Sequence, residues 1–253
     1  MMTRIILNGA CGAMGRVVAE LINAEADMEV VAGADLKTDV DLGFPVFDDI
    51  RNINVEADAI IDFASVKAVD NLLDFIEIKH IPAVICTTGL SEEQLSRISK
   101  LSQDSAILRS ANMSLGINLL SNLLSEIAPA LKAAGFDIEI VEAHHRRKVD
   151  APSGTALLLA DALNKNMDEK LLYTYDRSDR HEPRKPDEIG ISAIRGGTIV
   201  GDHDVIFAGE DEVITFTHRA YSRKIFAKGA ISAAKFLKGK TSGMYDMSDV
   251  VGK

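Results

Sequence analysis

The sequence predicts an α/β protein in which a mostly parallel sheet is followed by a smaller α+β part. Short apolar runs alternate with amphipathic helical patterns through the first half of the chain. A glycine-rich loop separates the first of these runs from the first helical pattern. In the second half, strand patterns follow one another with glycines between them, which is typical of a separate α+β unit.

The first half contains five predicted strands with helices between them. The strands are Arg4–Asn8, Glu29–Ala34, Ala59–Phe63, Ala83–Thr87 and Ala106–Leu108. Met14–Ala24 and Val66–Lys79 have helical periodicity, and Ser65 and Ser91 are placed to cap helices. Strands joined by helices of this length predict a parallel sheet with right-handed crossovers.

The second half predicts longer elements. They are a helix over Ser114–Lys132, a strand over Asp137–Ala143, a helix from Pro152 to about Lys165, strands Glu188–Arg195, Thr198–Ala208 and Val213–Arg219, and a helix over Ser222–Lys238. We expect the last three strands to pair antiparallel. The polar segment Asn166–Glu188 carries two prolines and predicts a mobile loop, and Lys240–Lys253 reads as a polar tail.

Composition excludes several classes of protein. The 253 residues are 47% hydrophobic and 26% charged, with a formal net charge of −10, which disfavours a general binder of nucleic acid or anionic membranes. Two cysteines exclude a disulfide scaffold and fit a reducing compartment. No apolar run approaches the ~20 residues that cross a bilayer, and the first residues do not form a signal peptide. We therefore expect a cytoplasmic protein.

The glycine loop predicts a nucleotide site. Gly9, Gly12 and Gly15 follow a strand and open a helix, where backbone N–H groups and the helix dipole favour a pyrophosphate. The spacing is GxxGxxG rather than GxGxxG, so the loop alone is also compatible with a plain tight turn. Asp35 ends the second strand, where a carboxylate can bond a ribose hydroxyl, and Lys37 is placed to meet a 2′-phosphate instead.

A cluster of cationic side chains precedes a helix start in the second half. His144 and His145 are candidate acids near neutral pH, and the next three residues, 146–148, are all basic. Ser153–Thr155 follows Pro152 at the beginning of a helix, where it forms an anion-binding nest. Such a site suits a small dicarboxylate.

Other interpretations of this cluster remain open on the residues alone. The basic run is compatible with a solvated turn, and Ser153 with a simple helix cap. Metal ligation is disfavoured because HExxH is absent, and a serine nucleophile is disfavoured because GxSxG is absent. His203 and His218 alternate with apolar residues and are read as sheet-face residues rather than catalysts.

The run Glu139–Ala156 closely resembles a long family signature, E-[IV]-x-E-x-H-x3-K-x-D-x-P-S-G-T-A, of the 4-hydroxy-tetrahydrodipicolinate (dihydrodipicolinate) reductases. Matching segments cover nearly the whole chain. They are the glycine loop, Asp62-Phe63, Thr87-Thr88-Gly89, Ser110–Ser114, Arg195-Gly196-Gly197, Arg219–Arg223 and Phe226-Ala227. Ala64 departs from the Thr or Ser of many members, which weakens one expected cofactor contact.

The resemblance implies a Rossmann-like dinucleotide-binding domain over residues 1–113 and 223–253. It implies a substrate-binding and oligomerisation domain over 114–222, and a homotetramer. NADH, NADPH or both would be the cofactor, and no metal is expected. The implied cofactor contacts are Gly9, Ala10, Cys11, Gly12, Ala13, Met14, Asp35, Lys37, Cys86, Thr87, Thr88, Ser110, Ala111, Asn112 and Met113.

The resemblance also implies a reaction, the reduction of a cyclic imine dicarboxylate with loss of water. His144 and Lys148 would supply the proton, and His145, Lys148, Ser153, Gly154 and Thr155 would hold the substrate. Two rivals are an amino-acid dehydrogenase of related build, such as homoserine or aspartate dehydrogenase, and a regulator that senses the nicotinamide without chemistry. The His144–Thr155 run disfavours the first, and paired acids beside an anion nest disfavour the second.

Overall fold

A computed structural model describes residues 2–252, which form two compact units. The first unit comprises residues up to Leu115 together with Lys224–Gly252, and the second comprises Gly116–Arg223. The sequence predicted boundaries after residues 113 and 222. The structure places them after Leu115 and Arg223, two residues and one residue later. The chain thus leaves the first unit, builds the second without interruption, and returns.

Within residues 2–252, the first unit is built on a seven-stranded parallel sheet. Its strands are β1 Thr3–Asn8, β2 Met28–Ala34, β3 Val46–Phe47, β4 Ala59–Asp62, β5 Ala83–Ile85, β6 Ala106–Arg109 and, after the second unit, β12 Gly243–Tyr245. They lie in the order β12-β6-β5-β4-β1-β2-β3. The predicted parallel sheet is confirmed, but β3 and β12 were not predicted. The expected polar tail was wrong, because it contains β12 and a final helix.

Helices cover both faces of this sheet. They are α1 Ala13–Asn23, α2 Val69–Lys79, α3 Glu92–Leu101, α6 Lys224–Leu237 and α7 Met247–Val251. Ile5 and Leu7 pack in a core that α1 and α6 share, whereas Ile6 packs in a core with α2. This two-sided burial explains why Ile5, Ile6 and Leu7 are consecutive apolar residues in β1. Ser91 caps α3 in a capping box, but Ser65 accepts no cap hydrogen bond and precedes a 3₁₀ turn, Val66–Ala68.

The second unit has a five-stranded mixed sheet. Its elements are α4 Leu115–Ala133, whose first residue belongs to the first unit, β7 Asp137–His144, α5 Gly154–Lys165, β8 Leu172–Tyr175, β9 Glu188–Arg195, β10 Gly201–Ala208 and β11 Val213–Ala220. The order is β11-β10-β7-β9-β8. The pairing of β10 with β11 is antiparallel as predicted, but β9 runs parallel to β7 and β8, so that part of the prediction was wrong.

The segment predicted as a mobile loop, Asn166–Glu188, is instead held to the sheet. It contains β8, and its arginines pair with acidic side chains of the neighbouring strands. Arg184 bonds Asp137 and Glu139, and Arg177 bonds Glu139 and Glu188. The polar composition that suggested mobility therefore forms an ion-pair network.

Candidate active site

The glycine loop and Asp35 line one pocket in the first unit. The pocket has a volume of about 530 Å³, and its lining includes Gly9, Gly12 and Asp35. The Asp35 carboxylate accepts hydrogen bonds from the N–H groups of Cys11 (2.9 Å) and Lys37 (3.1 Å). Asp35 is thus fixed at the end of β2, at the edge where open α/β sheets bind ligands.

The loop geometry fits a pyrophosphate. Gly9 has φ +79°, and a Cβ there would lie 2.7 Å from the backbone of Phe63 and Ala64. A Cβ on Gly15 would lie 2.1 Å from the Gly9 carbonyl oxygen, so the first turn of α1 packs directly on the loop. Gly12 is the N-cap of α1 and has no side chain to cap the first turn. The backbone N–H groups of the first turn of α1 can therefore serve an anion.

A buried polar group lies next to this loop. The Asp62 carboxylate, at the end of β4, accepts hydrogen bonds from Asn8 Nδ2 (2.8 Å), Thr87 Oγ1 (2.6 Å) and the Ala64 N–H (3.1 Å). Burial raises the pKa of Asp62, and these hydrogen bonds oppose that rise. Asn8 and Ala64 also line the pocket. Asp62 therefore fixes part of the pocket wall, a role that sequence reasoning did not assign.

The other expected cofactor contacts do not line this pocket. Thr87 is buried and donates a hydrogen bond to Asp62. Burial of the Cys86 thiol, followed by the charge of Asp62, raises the pKa of that thiol well above its usual range. Met113 is buried in the core of the first unit. Thr88 and Ala111 are exposed, Ser110 bonds the Asn112 carbonyl, and Lys37 is exposed away from the lining.

In the second unit, strand register gathers the candidate acid with three further groups. Glu142 and His144 lie on the same face of β7, two residues apart. His203 of β10 is directly opposite Glu142, and Arg195 of β9 is directly beside His144. The start of α5 brings Ser153 to the same place, since its N–H donates to Glu142 at 2.9 Å.

Glu142 is the centre of this cluster. Its carboxylate is fully buried and accepts from His144 Nδ1 (2.6 Å), Arg195 Nη1 (2.8 Å) and Arg195 Nη2 (2.7 Å) as well as from Ser153. Burial alone would raise the pKa of Glu142. Hydrogen bonds from Arg195 and His144 outweigh burial, so the net pKa is lowered and the side chain is ionised. Sequence reasoning gave Glu142 no role, although its i, i+2 spacing to His144 on a strand was a usable signal.

His203 packs against the same group. Its ring meets His144 edge-on at 5.2 Å between centroids, and its Nε2 lies 3.0 Å from Ser153 Oγ. Burial, followed by the charge of His144, lowers the pKa of His203 to about 4, which keeps it neutral near pH 7. His203 does lie on a sheet face, as its alternation indicated, but that face carries the polar cluster.

The predicted basic run divides in the structure. Arg146 and Arg147 are exposed, whereas His145 and Lys148 are half-buried. His145 Nδ1 is buried and has no partner within residues 2–252. Lys148 Nζ lies 2.8 Å from Asp150, and its hydrogen bond lowers the pKa of that carboxyl. Across the same residues, no group of His, Cys, Asp and Glu side chains forms a metal site, and no helix is long and apolar enough to span a membrane.

The parallel sheet and the pocket at its glycine loop define a Rossmann-like dinucleotide-binding protein. Two family models match: "Dihydrodipicolinate reductase, N-terminus" over residues 3–113 and "Dihydrodipicolinate reductase, C-terminus" over 116–251. The chain belongs to the dihydrodipicolinate reductase family.

Curated relatives and solved structures agree with this membership. A 4-hydroxy-tetrahydrodipicolinate reductase of Caldanaerobacter subterraneus subsp. tengcongensis is 54% identical, covering 100% of both chains. One of Clostridium tetani is 50% identical, covering 98% of this chain and 96% of the relative. A dipicolinate-bound dihydrodipicolinate reductase of Paenisporosarcina sp. has the same fold, with TM-score 0.80 and 24% identity over 97% of this chain and 98% of that one. An aspartate dehydrogenase of Thermotoga maritima is a more distant fold neighbour, with TM-score 0.54 and 13% identity over 95% and 98% of the two chains.

Proposed function

We propose that this chain reduces 4-hydroxy-tetrahydrodipicolinate to tetrahydrodipicolinate, with loss of water, in diaminopimelate and lysine synthesis. One observation carries the proposal: the buried Glu142 carboxylate holds both His144 and the N–H of Ser153. A candidate acid and a helix start suited to a carboxylate are thereby fixed to one another. A dicarboxylate that must accept a proton matches this combination.

In this proposal, reduced nicotinamide supplies a hydride to C4 of the conjugated imine that forms when the 4-hydroxyl leaves as water. Electrons move toward the ring nitrogen, and the enamine produced must take up a proton. His144 as imidazolium and Lys148 as ammonium are the donors. General acid help of this kind contributes typically 10²–10⁴-fold.

The substrate carboxylates require cationic or N–H partners. We assign one to the first turn of α5, where Gly154 and Thr155 follow the cap Ser153 and the helix dipole favours an anion. Lys148 and His145 complete this subsite. The buried, unpartnered Nδ1 of His145 supports a ligand contact at that residue.

For the cofactor, we propose that the loop Gly9–Met14 takes the pyrophosphate and Asp35 the adenosine ribose. The Asp35 carboxylate favours NADH, since a 2′-phosphate beside it would meet a like charge, while Lys37 would have to turn toward the ribose to favour NADPH. We retain Cys86, Thr87, Thr88 and Ser110–Met113 as contacts of the nicotinamide half. These assignments give residues 1–113 and 223–253 the cofactor role and 114–222 the substrate role.

We further propose a cytoplasmic homotetramer. The five-stranded sheet has one face that α4 and α5 do not cover, with exposed Ile194 and half-buried Val141 and Ile206 along it. Such a face is suited to pairing with another copy of the chain. Both cysteines are free thiols, which is compatible with a reducing compartment.

The test is the loss of 340 nm absorbance from NADH and, separately, NADPH, with substrate generated in situ from pyruvate and aspartate semialdehyde by a synthase. We expect rapid oxidation that the double variant His144→Ala/Lys148→Ala loses. His144→Ala should mainly lower kcat, and Thr155→Val should mainly raise KM. Cofactor binding without oxidation would refute the reductase and favour a nicotinamide-sensing regulator. Equal kcat losses in the two single variants would refute the division of roles.

A further inference from the structure

Glu142 does more in the structure than neutralise a cation. Its two oxygens accept four hydrogen bonds, and all four donors are fixed by secondary structure: His144 on β7, Arg195 on β9 and the Ser153 N–H at the start of α5. A fully buried carboxylate with every acceptor position used cannot change rotamer without losing several bonds at once.

We infer that Glu142, held by Arg195, is the positioning residue that fixes the proton arrangement of His144. This inference rests on the proposed role of His144 as proton donor. An ionised carboxylate only accepts hydrogen bonds, so the 2.6 Å contact requires a proton on His144 Nδ1. The other nitrogen, Nε2, is thereby the atom that gains and gives the proton in exchange with a substrate.

The surroundings of His144 support this assignment. A Cβ on Gly201 would lie 3.0 Å from His144 Nε2, so β10 passes close to the ring and any side chain at position 201 would crowd it. Neutral His203 packs edge-on against the ring and places no charge there near pH 7. Among the described residues, the Glu142 carboxylate contacts His144 directly, and Arg195 is the cation paired with that carboxylate.

Arg195 has a separate part in the arrangement. Both of its terminal nitrogens bond Glu142, and Nη2 also donates to the Asp150 carbonyl. This bidentate pair holds the plane of the carboxylate, so that one oxygen meets His144 and the other meets Ser153. The same carboxylate thus sets the position of the acid relative to the proposed anion nest.

The test compares Glu142→Gln with a matched control, Glu139→Gln. Glu139 is on the same strand but the opposite face, where it pairs with Arg177 and Arg184. Loss of the negative charge at 142 disfavours the imidazolium form of His144. We expect kcat of Glu142→Gln to fall at least about tenfold. The alkaline limb of its kcat–pH profile should move about one pH unit lower. Glu139→Gln should leave the position of the limb unchanged.

A second readout does not require turnover. Nitrogen-15 spectra of the histidine rings at about pH 8.5, with His144 assigned from a His144→Gln variant, report which ring nitrogen carries the proton. We expect the Nδ1–H form in the wild type and in Glu139→Gln, and a larger share of the Nε2–H form in Glu142→Gln, whose amide is an uncharged and weaker acceptor. If Glu142→Gln fails to fold, Glu142→Asp keeps the charge, shortens the side chain, and should give a smaller shift in the same direction.

The two readouts separate the possible failures. An unchanged ring spectrum and an unchanged alkaline limb in Glu142→Gln would overturn the inference while leaving the reductase proposal intact. A wild type that lacks reductase activity but shows the Glu142-dependent Nδ1–H form would refute the proposed function and support the positioning of the ring.

Discussion

Replacing His203 by glutamine should make the second unit less sensitive to acid. Burial, followed by the neighbouring His144, lowers the pKa of His203 from its ordinary 6.5 to about 4. Between these values the unfolded chain binds a proton that the folded chain excludes. The stability contributed by neutral His203 is therefore fully present above about pH 6.5 and is lost as the pH falls toward 4.

The size of the effect follows from the gap between the two pKa values. At ~1.4 kcal/mol per pH unit, complete protonation of His203 costs about 3.5 kcal/mol of unfolding free energy. The part lost between about pH 7.5 and about pH 4.5 is about 2.5 kcal/mol, because that range crosses most of the interval between the unfolded and folded pKa values of His203. The side chain is only 3% exposed, so solvent screening reduces this cost little.

Hydrogen–deuterium exchange of β7 and β10 amides measures this cost in the second unit by itself. Comparing variants at the same pH cancels intrinsic exchange rates. Acidification from about pH 7.5 to about pH 4.5 lowers the free energy of opening of these strands. This decrease should be about 2.5 kcal/mol smaller in His203→Gln than in the wild type. His181→Gln, in the exposed turn before β9, is the control and should behave as the wild type does. Equal acid losses in wild type and His203→Gln would refute the reasoning.

Three further changes have defined outcomes. Gly15→Ala should weaken NADH binding at least tenfold and destabilise the chain by about 1–3 kcal/mol, because its Cβ would lie 2.1 Å from a backbone oxygen. Gly12→Ala places its Cβ 3.3 Å from the nearest atom, so both losses should be smaller when measured by calorimetry and binding titration. Asp35→Asn should raise the NADPH/NADH ratio of kcat/KM about tenfold, by removing the charge next to the ribose site. Arg184→Ala should destabilise the second unit by about 2 kcal/mol and speed tryptic cleavage after Arg177, and unchanged cleavage would contradict the ion-pair network.

The parallel sheet of the first unit was predictable because each strand is a short apolar run followed by a helix. The two missed strands are only two and three residues long, too short for periodicity to reveal. The glycines between β9 and β10 suggested a hairpin, so β9 was predicted to pair antiparallel, but it runs parallel to β7. However, α5 lies between β7 and the strands that follow it, and a helical crossover of this kind returns the chain in the parallel direction.

The candidate site was predictable only where it is local. His144, Lys148 and Ser153 lie within ten residues of one another, so a single motif presents them together. Arg195 and His203 join them through the register of β9 and β10 with β7, which nothing in the local sequence specifies. Strand alternation indicated that His203 faces one side of the sheet, but not that this side also carries Glu142.

The return of the chain to the first unit sets an order for its assembly during synthesis. Ala227, Ala230, Leu237 and Met247 complete the core beneath one face of the parallel sheet. A nascent chain that ends at Leu115 lacks all four and exposes that face. Residues 116–223, by contrast, are all present before the last helices are made. On the ribosome, the second unit can therefore mature first, and the glycine-loop unit is completed only when Lys224–Gly252 has emerged.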